Sequence, residues 1–266
     1  MGARAVLALV RAGFRRHTSY RAAILGGAAT NSMFGLLRAG IVTATLASAG
    51  GHLGGYAAAG GIAYVWISQA LVAPLQIFTW DDLAVRVRSG DLAVDLLRPV
   101  DLQLLYGAQD LGRALALTLP RGLPPLAVGA LTFGLALPTD PRAYLFGLTA
   151  VVLGAGVSFA CRYLVNLSAV WLLDVRGVLT LYVTVTGVLC GLVVPVRWFP
   201  PWLATVDAAT PFPAMLQAPA DILTGRVHGT AVAGVLAVQV AWLAAMLAAG
   251  QLVQRAAARR LVVQGG

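Results

Sequence analysis

Lysine and glutamate are absent from this sequence of 266 residues, so its acidic side chains are all aspartate and its strongly basic ones are all arginine. The absence of lysine excludes a Gly-x-x-x-x-Gly-Lys phosphate-binding loop, in which the lysine reaches the terminal phosphates of a nucleotide. The sequence also shows no clustered acid, base and nucleophile of the kind that a catalytic site needs. We therefore predict a non-catalytic protein that hydrolyses no ATP by this route.

Charged residues are scarce: they make up 11% of the sequence, against about 25% in ordinary soluble proteins. Hydrophobic residues make up 59%, and the mean hydropathy is +0.82. These values predict an all-α integral membrane protein. The net charge of +9 would suggest a nucleic-acid partner in a soluble protein. Here it is better explained by arginine collecting in cytoplasmic loops, so we expect no nucleic acid.

Cysteine is limited to Cys161 and Cys190, and both lie within apolar runs. Free cysteine behaves there as a small hydrophobic residue, so the pair predicts neither a disulfide nor a metal framework. His17, His52 and His228 are scattered, and no second ligand follows any of them at zinc spacing. We expect no metal and no cofactor bound by this chain.

Apolar windows of about 20 residues, long enough to cross a bilayer as a helix, predict about six spans. They lie at residues 22–49, 56–79, 114–137, 143–172, 178–194 and 230–251. Several prolines lie in the first half of the third window, so this span either begins at residue 114 or begins several residues later. Arginines concentrate before the first window and after the second, fourth and sixth. Because cytoplasmic loops collect arginine, both termini are predicted to be cytoplasmic.

Residues 1–21 predict an amphipathic helix lying on the inner membrane surface. Arg4, Arg11 and Arg15 fall on one helical face, whereas Val10 and Phe14 fall on the other. Two interpretations remain open. The segment is either a basic flank that only orients the first span, or a helix that also meets a cytosolic partner.

Residues 80–113 form the largest predicted cytoplasmic connection. Charged residues alternate with leucine and valine there, and a short helix from about Asp91 to Leu97 is expected, capped by Asp91 and stopped before Pro99. A solvated connection needs no apolar face. The segment therefore either packs under its own helices or docks into a separate cytosolic protein.

Residues 195–229 hold a cluster of prolines and tryptophans just after an apolar span, so they cannot form one plain helix. Irregular backbone at membrane depth is tolerated where it packs in protein or lines a cavity. We predict a pair of short helices that dip back from the outer surface. The predicted outer gate consists of Pro195, Trp198, Phe199, Pro200 and Trp202.

Several stretches in this order resemble the type-2 ABC exporter permeases, and most closely the branch in which two dissimilar permeases share one ATPase. They are Phe14-Arg-Arg-His-Thr-Ser-Tyr-Arg21, Arg88-Ser-Gly-Asp-Leu-Ala-Val-Asp-Leu-Leu-Arg-Pro-Val100, Gly191-Leu-Val-Val-Pro-Val-Arg-Trp-Phe-Pro-Pro-Trp-Leu203 and Pro211-Phe-Pro-Ala-Met-Leu-Gln-Ala-Pro-Ala-Asp-Ile-Leu-Thr-Gly225. The resemblance implies one permease domain over residues 1–266 of a bacterial inner-membrane protein. It also implies a second permease and a cytosolic ATPase dimer that holds ATP and Mg²⁺.

The resemblance further implies that residues 91–98 are a coupling helix for that ATPase. In this interpretation its leucines fill an apolar groove of the ATPase, and its charged residues set the polar register. The predicted coupling residues are Asp91, Leu92, Asp95, Leu96, Leu97 and Arg98.

Four polar residues inside the predicted spans are candidates for a translocation pathway: Asn31, Arg38, Arg162 and Asn166. A central arginine costs about 2.5 to 3.5 kcal/mol on insertion scales and usually faces protein or water. The two arginines either pair structurally with carbonyls or the partner permease, face a cavity for anionic or polar headgroups, or snorkel to the interface.

The expected function is export of a hydrophobic or amphipathic substrate, driven by the separate ATPase. The alternative is a secondary transporter driven by an ion gradient. Such transporters often carry acids within their spans, whereas the predicted boundaries place no aspartate centrally in a span.

Overall fold

The computed structural model describes residues 2–78, 81–97, 100–172 and 174–264. The described chain is almost entirely helical. Its helices are α1 Ala3–Thr18, α2 Arg21–Ser48, α3 Ala58–Leu75, α4 Asp82–Ser89, α5 Asp91–Leu96, α6 Leu102–Phe133, α7 Pro141–Leu167, α8 Arg176–Leu189, α9 Pro201–Ala208, α10 Gln217–Leu223 and α11 Ala231–Gln264. Two short antiparallel strands, β1 His52–Leu53 and β2 Tyr56–Ala57, join α2 to α3.

Four helices within the described residues are long and apolar enough to cross a membrane by length and composition: α3, α6, α7 with its short extension, and α11. The all-α membrane class is therefore confirmed. The other two predicted spans do not reach this standard. α2 has 28 residues but includes Asn31 and Arg38, and α8 has 14 residues. Six spans remain a prediction.

Helix α6 begins much earlier than the third predicted span. It starts at Leu102, where the Asp101 carboxylate caps it by accepting a 2.9 Å hydrogen bond from the Leu104 amide. It then continues through three prolines to Phe133, as membrane helices can when neighbouring groups replace the lost bonds. Asp110 and Arg113, predicted to be cytoplasmic, therefore lie inside this candidate span.

Helix α3 is the centre of the packing, since nearly all of its side chains are buried. The Trp66 ring lies between Gly35 of α2 and Gly129 of α6. A Cβ atom at either glycine would come within 2.4 Å of the ring. The glycines therefore allow α2 and α6 to close over α3, in the way that small residues permit close helix approach in membranes.

Helix α1 is confirmed as a helix, and it packs closely on α6. A Cβ atom on Gly112 would lie 2.0 Å from the Val10 carbonyl oxygen, and one on Gly13 would lie 2.1 Å from the Gln109 carbonyl oxygen. These contacts leave no room for a side chain at either glycine. Position on the membrane surface stays a prediction, but α1 is fixed to the helix that it crosses.

Candidate functional site

A buried ion triad joins α6 to α7. Asp110 accepts a 2.8 Å hydrogen bond from Arg113 Nε through Oδ1 and a 3.0 Å hydrogen bond from Arg162 Nη2 through Oδ2. All three side chains are buried. One carboxylate between two guanidinium groups leaves a net positive charge, so further acceptors are needed to stabilise the cluster.

The carbonyl groups at the C-terminus of α3 supply some of those acceptors. Arg113 donates to the carbonyl oxygens of Ala73 and Pro74 at 2.7 and 3.0 Å. The helix ends at Gln76, whose left-handed φ of 49° stops the turn, so its last carbonyls need donors from elsewhere. Arg162 in turn donates to Gln76 Oε1 at 3.1 Å. The triad therefore fixes the end of α3 as well.

Asn166 connects this cluster to α4. Its Oδ1 accepts a 3.1 Å hydrogen bond from the Ala84 amide in the first turn of α4, and its Nδ2 donates to the Arg162 carbonyl at 2.9 Å. The structure thus brings Arg162 and Asn166 together, as predicted from their spacing of one turn. It also shows that Arg162 is paired with Asp110, a partner that the sequence reasoning missed.

A cavity of about 460 Å³ opens beside the same two residues, between the end of α3, α7 and α8. Its lining mixes apolar and polar groups, namely Phe78, Asp81, Arg162, Asn166, Arg176, Leu179, Thr180, Tyr182, Val183 and Thr184. The buried Tyr182 hydroxyl has no hydrogen-bond partner among the described residues. The cavity therefore offers hydrogen-bonding groups and two arginines beside an apolar wall.

Asn31 and Arg38 lie apart from that cavity, on the inward face of α2. Arg38 donates to Ser68 Oγ at 3.0 Å. Its Nε and Nη2, and Asn31 Nδ2, are buried without a hydrogen-bond partner in the described part of the chain. The four candidate pathway residues thus form two separate pairs, one on α2 and one on α7.

The segment predicted to couple to the ATPase contains the short helix α5, and α4 precedes it. Gly90 joins the two with a φ of +82°, a conformation that glycine adopts without strain. Leu92 is 1% exposed and packs with Leu83 and other side chains of this chain's own core. Asp95 is buried and pairs with Arg86. These two residues therefore hold α5 to this chain's own core, and their contact with a partner stays a prediction.

The exposed side of the same segment is made by other residues. Leu97 is 85% exposed and Val94 is 56% exposed, and Asp91 is exposed as well. The Leu96 side chain and Arg98 lie outside the described residues. Val94 was missed by the sequence prediction, because a leucine pattern alone does not show which side of a short helix faces its own protein.

The segment between α8 and α11 holds two short helices, α9 and α10, as predicted. α10 is deeply buried, and the residues before it pack on α7, where a Cβ atom on Gly154 would lie 2.4 Å from the Met215 carbonyl oxygen. No part of the structure tests whether these helices enter a membrane from outside. The burial of α10 does show that it is packed between the other helices, whereas in α9 only Asp207 is buried.

A polar network holds α10 in place. Gln217 Nε2 donates to Asp221 Oδ1 at 2.9 Å and to the Tyr56 hydroxyl oxygen at 3.1 Å. Gln217 Oε1 accepts from the Tyr64 hydroxyl at 2.7 Å. Arg226 lies 3.2 Å from Asp221 Oδ1 and stacks over the Tyr56 ring, with its Cζ 3.9 Å from the ring centroid. The network joins α10 to β2 and α3, and the sequence prediction missed it.

The predicted outer-gate residues lie beside this network and differ in exposure. Trp198 Nε1 donates to the Leu53 carbonyl at 3.0 Å, and its ring meets Tyr56 edge to face. Pro195 is buried and Phe199 is half-buried, whereas Pro200 and Trp202 are exposed. Trp198 is therefore a fixed anchor of the 195–202 segment.

Burial raises the pKa of two acidic groups outside the candidate spans. It raises the pKa of Asp221, although Arg226 acts in the opposite direction. Burial also raises the pKa of Asp207 to about 6. Exposed Asp174 behaves differently, since hydrogen bonds from Arg176 lower its pKa to about 2. Within the described residues, no group of three His, Cys, Asp or Glu side chains is placed to hold a metal ion.

Comparison with known families fits this architecture. A search of curated proteins found no match. A sequence model of the family described as "ABC-2 family transporter protein" matches residues 37–265, which include the Asp110 triad, the Gln217 network and the segment of α4 and α5. The chain therefore belongs to the ABC-2 transporter family and is a membrane permease of the ABC transporter type.

Proposed function

We propose that this chain is one permease subunit of an ATP-driven exporter in the bacterial inner membrane. A separate ABC ATPase dimer binds ATP and Mg²⁺ on the cytoplasmic side, and a second, dissimilar permease completes the membrane part. The complex moves a hydrophobic or amphipathic molecule outward. The single observation that carries the proposal is the exposed apolar side of α5, on a helix whose other side is firmly held.

That exposed surface consists of Asp91, Val94 and Leu97, and we name it the α5 tip. Burial of one Leu or Val side chain contributes about 1.5 to 3 kcal/mol, so two such side chains can seat a short helix in a partner's groove. Leu92 and Asp95 face the opposite way and are held by the core and by Arg86. A partner that pushes on the tip would therefore move α5 as a rigid piece.

A continuous set of hydrogen bonds would carry this motion into the long helices. α4 is tied to α7 through the Ala84 amide and Asn166 Oδ1. One turn earlier on α7, Arg162 pairs with Asp110 of α6 and with Gln76 after α3. Such a chain of packed and ion-paired groups is a physical route for coupling.

The inner cavity beside Arg162 and Asn166 is the proposed entry for substrate. Its two arginines and its apolar wall suit a molecule with a polar or anionic headgroup and a hydrocarbon part. Asn31 and Arg38 supply a second set of buried donors on α2. The 195–202 segment is the proposed outer gate, anchored through Trp198 and exposed at Trp202.

The test is co-purification of the tagged chain from gently solubilised native membranes, with identification of partners by mass spectrometry. Recovery of a cytosolic ATPase and a second permease is expected. Leu97→Asp should remove the ATPase, because it places a charge on the apolar tip, while membrane insertion and folding continue. Leu172→Asp is the matched control, since Leu172 is also exposed but lies in the connection after α7.

Three results separate the possibilities. If neither Leu97→Asp nor Val94→Asp changes the recovery of the ATPase, the role of the α5 tip is contradicted. An ATPase recovered without a second permease would indicate a homodimer. Transport that persists when ATP is depleted but the proton gradient is kept would favour the gradient-driven alternative.

A further inference from the structure

A second cavity, of about 480 Å³, lies between α9, α10 and the first half of α11. Its volume is in the range of small-molecule binding sites, which is about 300 to 1,000 Å³. Its walls are mainly apolar and include Phe199, Val235 and Val238. Four buried polar residues, Asp207, Gln217, Asp221 and Gln239, also line it.

Asp207 presents a carboxylate oxygen without a partner. The residue is 0% exposed, and its Oδ2 has no hydrogen-bond partner among the described residues. Its Oδ1 lies 3.4 Å from the Thr210 hydroxyl, a weak contact. A carboxylate buried in this way is costly unless a cation or a hydrogen-bond donor reaches it.

Gln239, which lines the same cavity, has a second unpaired acceptor. Its Nε2 donates to the carbonyl oxygens of Ala150 and Ala214 at 3.0 and 2.8 Å. These two bonds fix the amide orientation, because a flipped amide would place its oxygen against both carbonyls. Gln239 is 0% exposed, and its Oε1 has no hydrogen-bond partner in the described part of the chain.

The other charged residues of the cavity do not compensate Asp207. Asp221 is itself held by Gln217 and Arg226. Arg197 is exposed and interacts electrostatically with Asp221. The described cavity thus offers two unpaired acceptors, one of them a carboxylate, inside apolar walls.

We propose that this cavity binds the primary ammonium group of an amphipathic molecule. Asp207 Oδ2 and Gln239 Oε1 accept its N–H groups, and the apolar walls hold its hydrocarbon chain. A primary ammonium has three N–H donors and a positive charge. A trimethylammonium keeps the charge but has no N–H donor, and an alcohol keeps a donor but has no charge. The site should therefore bind the primary amine more tightly than the trimethylammonium compound or the alcohol.

The proposal does not rest on the ATPase, because binding is measured at equilibrium with the purified chain alone. Radiolabelled dodecylamine is titrated against the full chain in phosphatidylcholine nanodiscs, with empty nanodiscs as background. Saturable binding of one molecule per chain is expected. Dodecyltrimethylammonium and dodecanol serve as competitors, and each should displace the probe at least tenfold less effectively than unlabelled dodecylamine.

Two variants test the site by different means. Asp207→Asn keeps the shape of the side chain, removes its charge, and should weaken binding at least tenfold. Gly234→Leu should block the cavity: Gly234 lines it, and a Cβ atom there meets open space within 4 Å, so the helix itself is not disturbed. Asp174→Asn and Gly177→Leu are the matched controls, since Asp174 is exposed and Gly177 is equally open. Both controls should bind like the wild type.

Two arms distinguish the source of the ammonium group. If part of the phosphatidylcholine is replaced by phosphatidylethanolamine and the probe's apparent affinity falls, the native occupant is a lipid headgroup. If affinity is unchanged, it is a free amine.

Other outcomes overturn the proposal. They are equal binding to folded Asp207→Asn and Gly234→Leu variants, equal competition by dodecanol, or no saturable binding. Loss of the second permease from Asp207→Asn preparations, with probe binding unaffected, would instead assign Asp207 to the subunit interface.

Discussion

Removal of the Asp110 charge is the most informative perturbation of the buried ion triad that Asp110 forms with Arg113 and Arg162. Asp110→Asn keeps nearly the same volume but leaves Arg113 and Arg162 buried beside each other with no carboxylate between them. Arg113 would keep its bonds to the α3 carbonyls, and Arg162 its bond to Gln76. The repulsion between the two guanidinium groups would no longer be compensated.

The expected cost follows from burial. Breaking a buried ion pair by removing one partner typically costs about 3 to 5 kcal/mol of unfolding free energy. For a chain of this size, each kcal/mol shifts the melting temperature by about 2 to 4 °C. Asp110→Asn should therefore lower the melting temperature by about 6 to 20 °C.

The assay is size-exclusion chromatography of detergent-solubilised protein after heating, which follows the fraction that stays monodisperse. Asp174→Asn breaks an exposed ion pair with Arg176 and should give no resolvable shift. Arg162→Gln should cost far less in the Asp110→Asn background than in the wild type, because the two residues share one interaction. A wild-type melting temperature for Asp110→Asn, or strictly additive losses in the double variant, would refute the reasoning.

Three further perturbations can be measured with the same preparations. Gly112→Ala should cost about 1 to 3 kcal/mol by forcing α1 off α6, seen as a lower melting temperature and faster proteolysis of α1. Gln217→Leu should cost about 1 to 3 kcal/mol, because the part-buried Val196 amide loses its acceptor, Gln217 Oε1; this is again seen as a lower melting temperature. Dodecylamine binding should weaken about tenfold from pH 7 to pH 5, because Asp207 becomes protonated as pH falls through its pKa of about 6. Arg197 and Asp221 are also charged residues of that cavity. The pH effect is therefore tested in Asp207→Asn, where it should disappear if Asp207 is its source.

Much of the fold was predictable because membrane helices follow composition. Apolar length predicted the helices, and prolines between residues 195 and 219 predicted a break into short helices. The start of α6 was not predictable in this way. Asp110 and Arg113 looked like the end of a cytoplasmic loop, whereas Asp110 pairs with Arg162 of α7 and Arg113 donates to carbonyl groups of α3. Single-residue hydropathy cannot include a partner that lies 52 positions away in the chain.

The candidate sites were predictable only in outline. The pattern of residues 91–98 located the segment that is exposed on one side. It could not show that one leucine, Leu92, is buried whereas another, Leu97, is exposed. Asp207 and Gln239 lie outside the stretches that resemble the family, and their role depends on α9, α10 and α11 meeting in space. The argument against a gradient-driven transporter rested on the absence of an aspartate within the predicted spans. Asp110 removes that premise, although its carboxylate is fully engaged by two arginines.

The most direct test of the coupling proposal is site-specific photo-crosslinking in intact membranes. A photoreactive phenylalanine analogue is placed at position 94, 97 or 172, and adducts are identified by mass spectrometry. Our account predicts an adduct with a nucleotide-binding ABC ATPase from positions 94 and 97, and none from position 172. No ATPase adduct from the α5 tip, or an equal yield from position 172, would contradict it.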